Sequence, residues 1–330
     1  MFKAVIFDIQ DLNINHELEC NYAIKGIPEL LLSLGQNNIK YISSFFPTKS
    51  LQMILNELEV DASDSLVITD STLGCTASND AGINCIGLLR DETDAQDLSK
   101  AYLLIESFEE IDYNFLHNEY LRSHGLPVTI ATTERLIIRE LSVEDVKHMY
   151  LIYQNPEVSK YIDDIDEYLE NEIEKHKAYI KNVYAFYGYG LWGLFNKDDN
   201  TLVGRCGIQN NMIDGNTEIE LSYLLDVNHW GKGYAAECCL AILSYAFDVL
   251  DISNIVAVID TYNTRSIRVA ESIGMSYEKE ITYHDRICSL YRIRSNNDMH
   301  KHHQATKSVF HIMNKNPDTS VYSKRYLHKK

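Results

Sequence analysis

The residues best placed to do chemistry lie late in the chain, in Trp230-Gly231-Lys232-Gly233-Tyr234-Ala235-Ala236-Glu237. Two glycines, one residue apart, fall where a strand-like pattern gives way to an amphipathic helical one. Glycine lets successive backbone N–H groups converge on an anion, and the start of a helix adds positive potential there. This is not a P-loop, because no Lys-Ser/Thr follows the second glycine. Glu218 and Glu220 precede the turn on one face of a predicted strand, with Ile219, Leu221 and Tyr223 on the other. A carboxylate there could take a proton from an ammonium group. Asn263-Thr264-Arg265-Ser266 follows about thirty residues after the turn. Near the N-terminus, Ala4-Val5-Ile6-Phe7-Asp8 and Leu66-Val67-Ile68-Thr69-Asp70 each end an apolar run in a carboxylate, and Tyr41-Ile42-Ser43 ends one in a hydroxyl. The carboxyl ends of parallel strands are where α/β sites form.

The elements that must position these groups follow two patterns. Strand-like runs at 3–9, 39–43, 65–69, 85–89 and 101–105 alternate with helical runs at 27–34, 50–58 and 77–81. Such alternation predicts a parallel sheet with helices on both faces. A segment holding Gly125-Leu126-Pro127 reads as a linker. The second pattern begins with a strand at 136–139 and Ser142 as a helix N-cap, and Asn155-Pro156 stops that helix. A charged helix at 168–181 leads into strands at 187–195, 201–209 and 218–225. A helix over 234–250, a strand at 255–259, a helix over 264–273 and strands at 276–283 and 287–293 complete it.

A chain of 330 residues predicts two domains, and 45% hydrophobic with 24% charged residues is ordinary globular composition. No apolar run approaches the ~18–20 residues of a membrane span, and no signal-peptide pattern opens the chain. Seven cysteines without a CxxC pair point to a reducing compartment, and the cytoplasm is the expected location. The net charge of −18 is uneven. Residues 1–120 carry 6 basic against 20 acidic side chains, residues 121–294 carry 17 against 26, and residues 295–330 carry 7 against 2. An acidic body disfavours nucleic acid and anionic membranes and favours a cationic partner. The last segment, with five of the twelve histidines, is expected to be poorly ordered. Cys238-Cys239 reads as helix packing, and no metal site is expected.

The Gly231/Gly233 turn followed by Asn263 resembles motifs A and B of the GNAT superfamily of N-acetyltransferases. Thr133-Glu134-Arg135-Leu136, Asn155-Pro156-Glu157-Val158 and Glu220-Leu221-Ser222-Tyr223 stand in the order seen in its RimJ/RimL-like branch. The resemblance spans roughly 131–294 and implies acetyl transfer from acetyl-CoA to an amine, small molecule or peptide. It implies backbone groups near Leu225, Asp226 and Val227 on the pantetheine arm. The turn from Trp230 through Gly231, Lys232, Gly233, Tyr234, Ala235 and Ala236 would lie on the pyrophosphate, with Asn263 bonding the cofactor arm. Glu220 takes the place of the base, and Ser266 falls where this branch uses serine. The tyrosine acid of many relatives is replaced by Ala270.

Residues 2–110 resemble the haloacid dehalogenase (HAD) phosphohydrolases through Asp8, Ser43 and Asp70, with Lys49 the nearest candidate lysine. The family's second acid is Gln10 here, and glutamine cannot pass a proton to a leaving group. The expected layout is therefore an α/β protein. A HAD-like Rossmann-type core without a large cap, expected to be degenerate because Gln10 replaces the second acid, covers 1–118. A linker at 119–130 and a GNAT domain with a mixed, splayed sheet at 131–294 follow, with a basic tail at 295–330. Magnesium is expected only if the first domain works. The alternatives are a magnesium-dependent phosphatase with an acetyl-CoA sensor, and a non-catalytic acetyl-CoA-binding protein.

Overall fold

A computed structural model describes residues 1–10, 12, 14, 24–44, 50–90, 96–109, 111–162, 165–184 and 187–295. The chain divides into two compact units, Met1–Leu126 and Pro127–Lys330.

The first unit alternates strand and helix: β1 (Ala4–Asp8), α1 (Ile27–Gln36), β2 (Lys40–Ser43), α2 (Leu51–Leu58), β3 (Ser65–Thr69), α3 (Thr72–Asp80), β4 (Cys85–Leu88), β5 (Leu103–Ile105) and α4 (Tyr113–Ser123). The strands form one parallel sheet in the order β2-β1-β3-β4-β5. β1, β3 and β4 are buried at every position, as continuous apolar runs in a covered parallel sheet must be. Three of these four helices start at a side-chain cap. Ser50 accepts the Met53 N–H, Ser71 accepts the Gly74 N–H, and Asp112 accepts the Phe115 N–H. Helix α3 begins five residues earlier than the sequence pattern suggests, because Ser71 caps it. Helix α4 runs through residues 119–123 of the expected linker; the chain then turns at Gly125 (φ +68°).

The second unit contains β6 (Thr129–Thr132), β7 (Leu136–Arg139), α5 (Val146–Tyr153), α6 (Pro156–Ser159), α7 (Leu169–Tyr179), β8 (Leu191–Asn196), β9 (Leu202–Ile213) and β10 (Asn216–Leu225). Then come α8 (Tyr234–Asp248), β11 (Asn254–Asp260), α9 (Thr264–Ser272), β12 (Ser276–Tyr283) and β13 (Arg286–Arg294). Its sheet runs β12-β13-β11-β10-β9-β8-β7-β6. It is mixed, being antiparallel except where β10 meets β11. Asp214 and Gly215, both at positive φ, make the two-residue turn between β9 and β10.

Helix α8 packs one face of this sheet with Cys238, Cys239, Ile242 and Leu243 buried. Cys206 of β9 meets them, its Sγ 3.8 Å from that of Cys239, and burial pushes the Cys206 thiol up. The other face carries a cluster of Leu141, Met149, Tyr153, Phe195 and Leu224.

Ser142 is not the cap of α5. Asp145 precedes that helix, and its carboxylate accepts from Arg139 Nη1 (2.7 Å), the Ser142 N–H (2.8 Å) and the Ser142 hydroxyl (2.9 Å). Serine therefore serves the turn rather than the helix. Residues 187–190 precede β8 instead of belonging to it. Among the described residues no helix is long and apolar enough to cross a membrane.

Candidate active site

Strands β10 and β11 pair in parallel at Glu220 and Val256. Beyond that pair they no longer share a ladder, and residues 221–225 and 257–260 line a cavity of about 940 Å³ within the second unit. The turn that ends β10 forms one lip. Gly231 (φ +73°) and Gly233 (φ +83°) both take the left-handed backbone that glycine adopts without strain. A Cβ at Gly231 would meet open space, so the backbone there is approachable. Gly233 is the N-cap of α8 and offers no side-chain acceptor. The N–H groups of Tyr234, Ala235 and Ala236 precede the first helical bond, which Glu237 donates to the Gly233 carbonyl at 3.1 Å. Gly231, Gly233, Tyr234, Ala235 and Ala236 all line the cavity.

Two side chains brace this lip. Glu237 is buried and accepts the Thr133 hydroxyl (2.6 Å), the Arg135 N–H (2.9 Å) and Arg135 Nε (2.7 Å). The same guanidinium donates to the Lys232 carbonyl at 2.8 Å and lies over the Tyr234 ring. Sequence reasoning quoted Arg135 and Glu237 within their motifs but gave neither a role. The signal was a carboxylate in the first turn of a helix whose N-terminus is left open. Trp230 donates its indole N–H to the Leu225 carbonyl (2.9 Å), and Arg265 stacks over it at 3.9 Å.

Those bonds change what the end of β10 offers. The Leu225 carbonyl is taken by Trp230, the Asp226 N–H donates to the Val203 carbonyl (2.9 Å), and the Val227 carbonyl accepts the Trp230 N–H (3.2 Å). Asp226 turns its carboxylate to the Asn228 N–H. The Leu225 carbonyl, the Asp226 N–H and the Val227 carbonyl, in the stretch that the resemblance sets on the pantetheine arm, thus each have a partner in the chain. Lys232 contributes its carbonyl to Arg135 rather than a face to the cavity.

Glu220 faces the cavity and is 8% exposed. Its Oε2 accepts from Asn211 Nδ2 of the neighbouring strand. Glu218, on the same face, is committed elsewhere, to Arg292 Nη2 (2.9 Å) and Asn254 Nδ2 (3.2 Å). Asn263 caps α9 by accepting the Ser266 N–H at 3.2 Å. Both Asn263 and Ser266 line the cavity. Tyr223, read from sequence as facing away, also reaches the cavity wall and donates to the Ser266 carbonyl at 2.8 Å. Burial pushes its phenol well up. Ala270 is fully buried.

In the first unit Asp8 and Asp70 lie at adjacent strand ends and both are buried. Asp8 Oδ2 accepts the hydroxyls of Thr69 (2.6 Å) and Ser71 (3.1 Å). Asp70 accepts Arg90 Nη1 (2.9 Å) and the Gln10 N–H (3.2 Å). Arg90 also donates to the Gln10 carbonyl at 3.0 Å. The Ser43 hydroxyl accepts the Ile14 N–H at 3.1 Å. Lys49, and the histidines at 300, 302 and 303, lie outside the described residues.

A mixed sheet that parts beside a glycine turn at a helix N-terminus defines a class of protein. A family model described as the acetyltransferase (GNAT) domain matches residues 135–276. The uncharacterized protein YkkB of Bacillus subtilis (strain 168) is 31% identical over 170 residues, covering 51% of this chain and 98% of that protein. The uncharacterized N-acetyltransferase p20 of Bacillus licheniformis is 32% identical over 150 residues, covering 45% of this chain and 82% of that protein. The uncharacterized N-acetyltransferase YoaA of Bacillus subtilis (strain 168) is 31% identical over 156 residues, covering 46% and 84%. The chain belongs to the GNAT acetyltransferases and is an acetyltransferase, with acetyl-CoA the cosubstrate that this fold implies.

Proposed function

We propose that the second unit transfers the acetyl group of acetyl-CoA directly to a primary amine, with Glu220 as the base, acting alone or through a water. The observation that carries this reading is the parting of β10 from β11 at Glu220, which puts a carboxylate at the apex of a cavity whose rim is the open N-terminus of α8. The rim fits the cosubstrate: positive-φ glycines and unpartnered first-turn amides are suited to a pyrophosphate. Gly231 to Ala236 would hold those phosphates, and the cavity-facing Asn263 would bond the arm. With the Leu225 carbonyl and the Asp226 N–H paired internally, the arm would lie along the free edge of β10 beyond Glu220. Acetyl-CoA supplies an activated thioester when bound. Glu220 takes the ammonium proton so that the amine can attack, and Ser266 is the hydroxyl placed to serve the departing thiolate.

The acceptor is a primary amine: a protein N-terminus, an aminoglycoside, a polyamine or another small amine, as in the RimJ/RimL-like branch. The acidic chain suits such a cation, and neither nucleic acid nor membrane is a partner. Residues 1–118 serve as a HAD-like scaffold or regulatory module, 131–294 as the transferase, and the protein works in the cytoplasm. Arg90 supports the scaffold role. Its guanidinium lies against Asp70, where the HAD resemblance calls for a magnesium ligand. The donor set does not fit a divalent cation, and no step is routed through one.

The test is acetyl-CoA binding by calorimetry, followed by thiol release across N-terminal peptides, polyamines and aminoglycosides. Binding with turnover on one class is expected. Absence of acetyl-CoA binding would remove the transferase reading, and binding without turnover on any amine would favour a sensor.

A further inference from the structure

Arg205 lies on β9, four residues from Gln209, the cross-strand partner of Glu220. Alternation along the strand puts the two on one face, while Cys206 turns the other way into the core against α8. The guanidinium sits half-buried over the Tyr153 ring at 5.1 Å. It has no ion pair or hydrogen bond to a carboxylate among the described residues.

The cavity that Arg205 lines holds four acids. Each of them has a partner elsewhere. Glu172 accepts Lys175 Nζ (2.8 Å) and the Asp166 N–H (2.9 Å). Glu157 lies 3.5 Å from Arg265, Glu220 holds Asn211, and Asp260 accepts the Tyr262 N–H (2.8 Å). A cation drawn partly out of water with no counter-ion is costly, so a site that keeps one is poised for an incoming anion.

Arg205 also lines a second, smaller cavity of about 150 Å³, walled by Met149, Tyr150 and Tyr179. The two cavities share Tyr153, Glu172, Lys175 and Arg205. The junction is walled by α5 and α7, on the sheet face opposite α8, and the residues the two cavities share include none of the glycine turn. An anion bound there would belong to the acceptor rather than to the cosubstrate.

We propose that Arg205 is a specificity-determining residue that binds a carboxylate of the acceptor, so that the preferred substrate is an amine that also carries a carboxylate. This rests on the amine-transferase reading and narrows it. The two strand positions stand about 13 Å apart along β9 at ~3.3 Å per residue. With both side chains reaching inward, amine and carboxylate belong to different ends of a short chain.

The experiment compares short ω-amino acids with their methyl esters, in which the amine is unchanged and the charge removed. In the wild type the free acids should exceed the esters in kcat/KM by about 10- to 100-fold, the worth of one charged hydrogen-bonded pair. Arg205→Met should bring that ratio close to one, and Arg205→Lys should restore part of it. Acetyl-CoA affinity should not change, and the melting temperature should not fall. Calorimetric binding of the same acids and esters, with coenzyme A present, gives an equilibrium readout independent of turnover.

Equal handling of acid and ester by the wild type, in both rate and binding, would overturn the inference. So would a preference that survives Arg205→Met, or a loss of acetyl-CoA affinity in that variant, which would assign Arg205 to a cosubstrate phosphate. Turnover of neutral amines with no effect of charge would leave the transferase standing and remove only this inference. No turnover of any amine, with acid-selective binding that Arg205→Met abolishes, would do the reverse.

Discussion

The two units each end buried strands in carboxylates, yet they treat them in opposite ways. In the first, Asp8 and Asp70 are closed off by Thr69, Ser71, Arg90 and the Gln10 backbone, so the strand ends are filled by the protein's own donors. In the second, Glu220 accepts from Asn211 and opens on a cavity of about 940 Å³. A carboxylate at the end of a strand is common to both. What separates a packed polar cluster from a site is whether the neighbouring strand stays in register. β1 keeps β3 alongside it through Asp8, whereas β10 loses β11 beyond Glu220.

The strongest way to break this contrast is at the rim. Gly233→Val puts a β-branched side chain at φ +83°, with its Cβ 3.4 Å from Arg135. Acetyl-CoA affinity should fall by about 100-fold or more, read by calorimetry. Unchanged affinity would make the turn merely structural. Next, Glu220→Gln should lower turnover by about 100-fold or more while leaving acetyl-CoA affinity within a factor of about two. Undiminished turnover in a thiol-release assay would remove Glu220 from the chemistry.

On the closed side, Gly74→Ala should show how tightly the first cluster is packed. Its Cβ would fall 2.0 Å from both Asp8 Oδ2 and Thr69 Oγ1. A loss of about 3 kcal/mol in the stability of that unit is expected in chemical denaturation. A tolerated alanine would mean that the cluster has room for a ligand after all.

The smallest effect tests the frame of the second unit. Asp145 is partly buried, which alone would raise its pKa, but Arg139 and the Ser142 N–H and hydroxyl together hold it below the usual carboxylate range. A depressed folded pKa contributes stability that is present above the unfolded value near 3.8 and is lost as the pH falls through the folded value. Asp145→Asn should therefore cost about 1–2 kcal/mol at neutral pH, with the gap from wild type closing below about pH 4 in denaturation curves.

Much of the layout was legible because short-range rules govern it. Apolar runs of four or five residues between helical patterns marked the parallel strands, and Ser50 marked a helix start. The glycine turn was legible from spacing, and strand alternation put Glu218 and Glu220 on one face; only the family resemblance singled out Glu220. Legibility ended where distant residues choose each other. The hold of Arg135 on Glu237 crosses 102 positions, and that of Arg90 on Asp70 crosses 20. Asp145, not Ser142, stands before α5, and its carboxylate turns back to Arg139 and Ser142 instead of capping the helix. The Leu225 carbonyl went to Trp230 because the turn folds back on the strand that precedes it.

Residue type and local spacing carried the family resemblance, most of the order of elements and the candidate groups for holding phosphate or moving a proton. Tertiary structure alone decided which of those groups remain available. Whether a buried polar group is satisfied by its own chain or left facing a cavity depends on partners that meet only once the sheet is built. That is why two aspartates at strand ends are held by the chain's own donors while one glutamate faces a cavity.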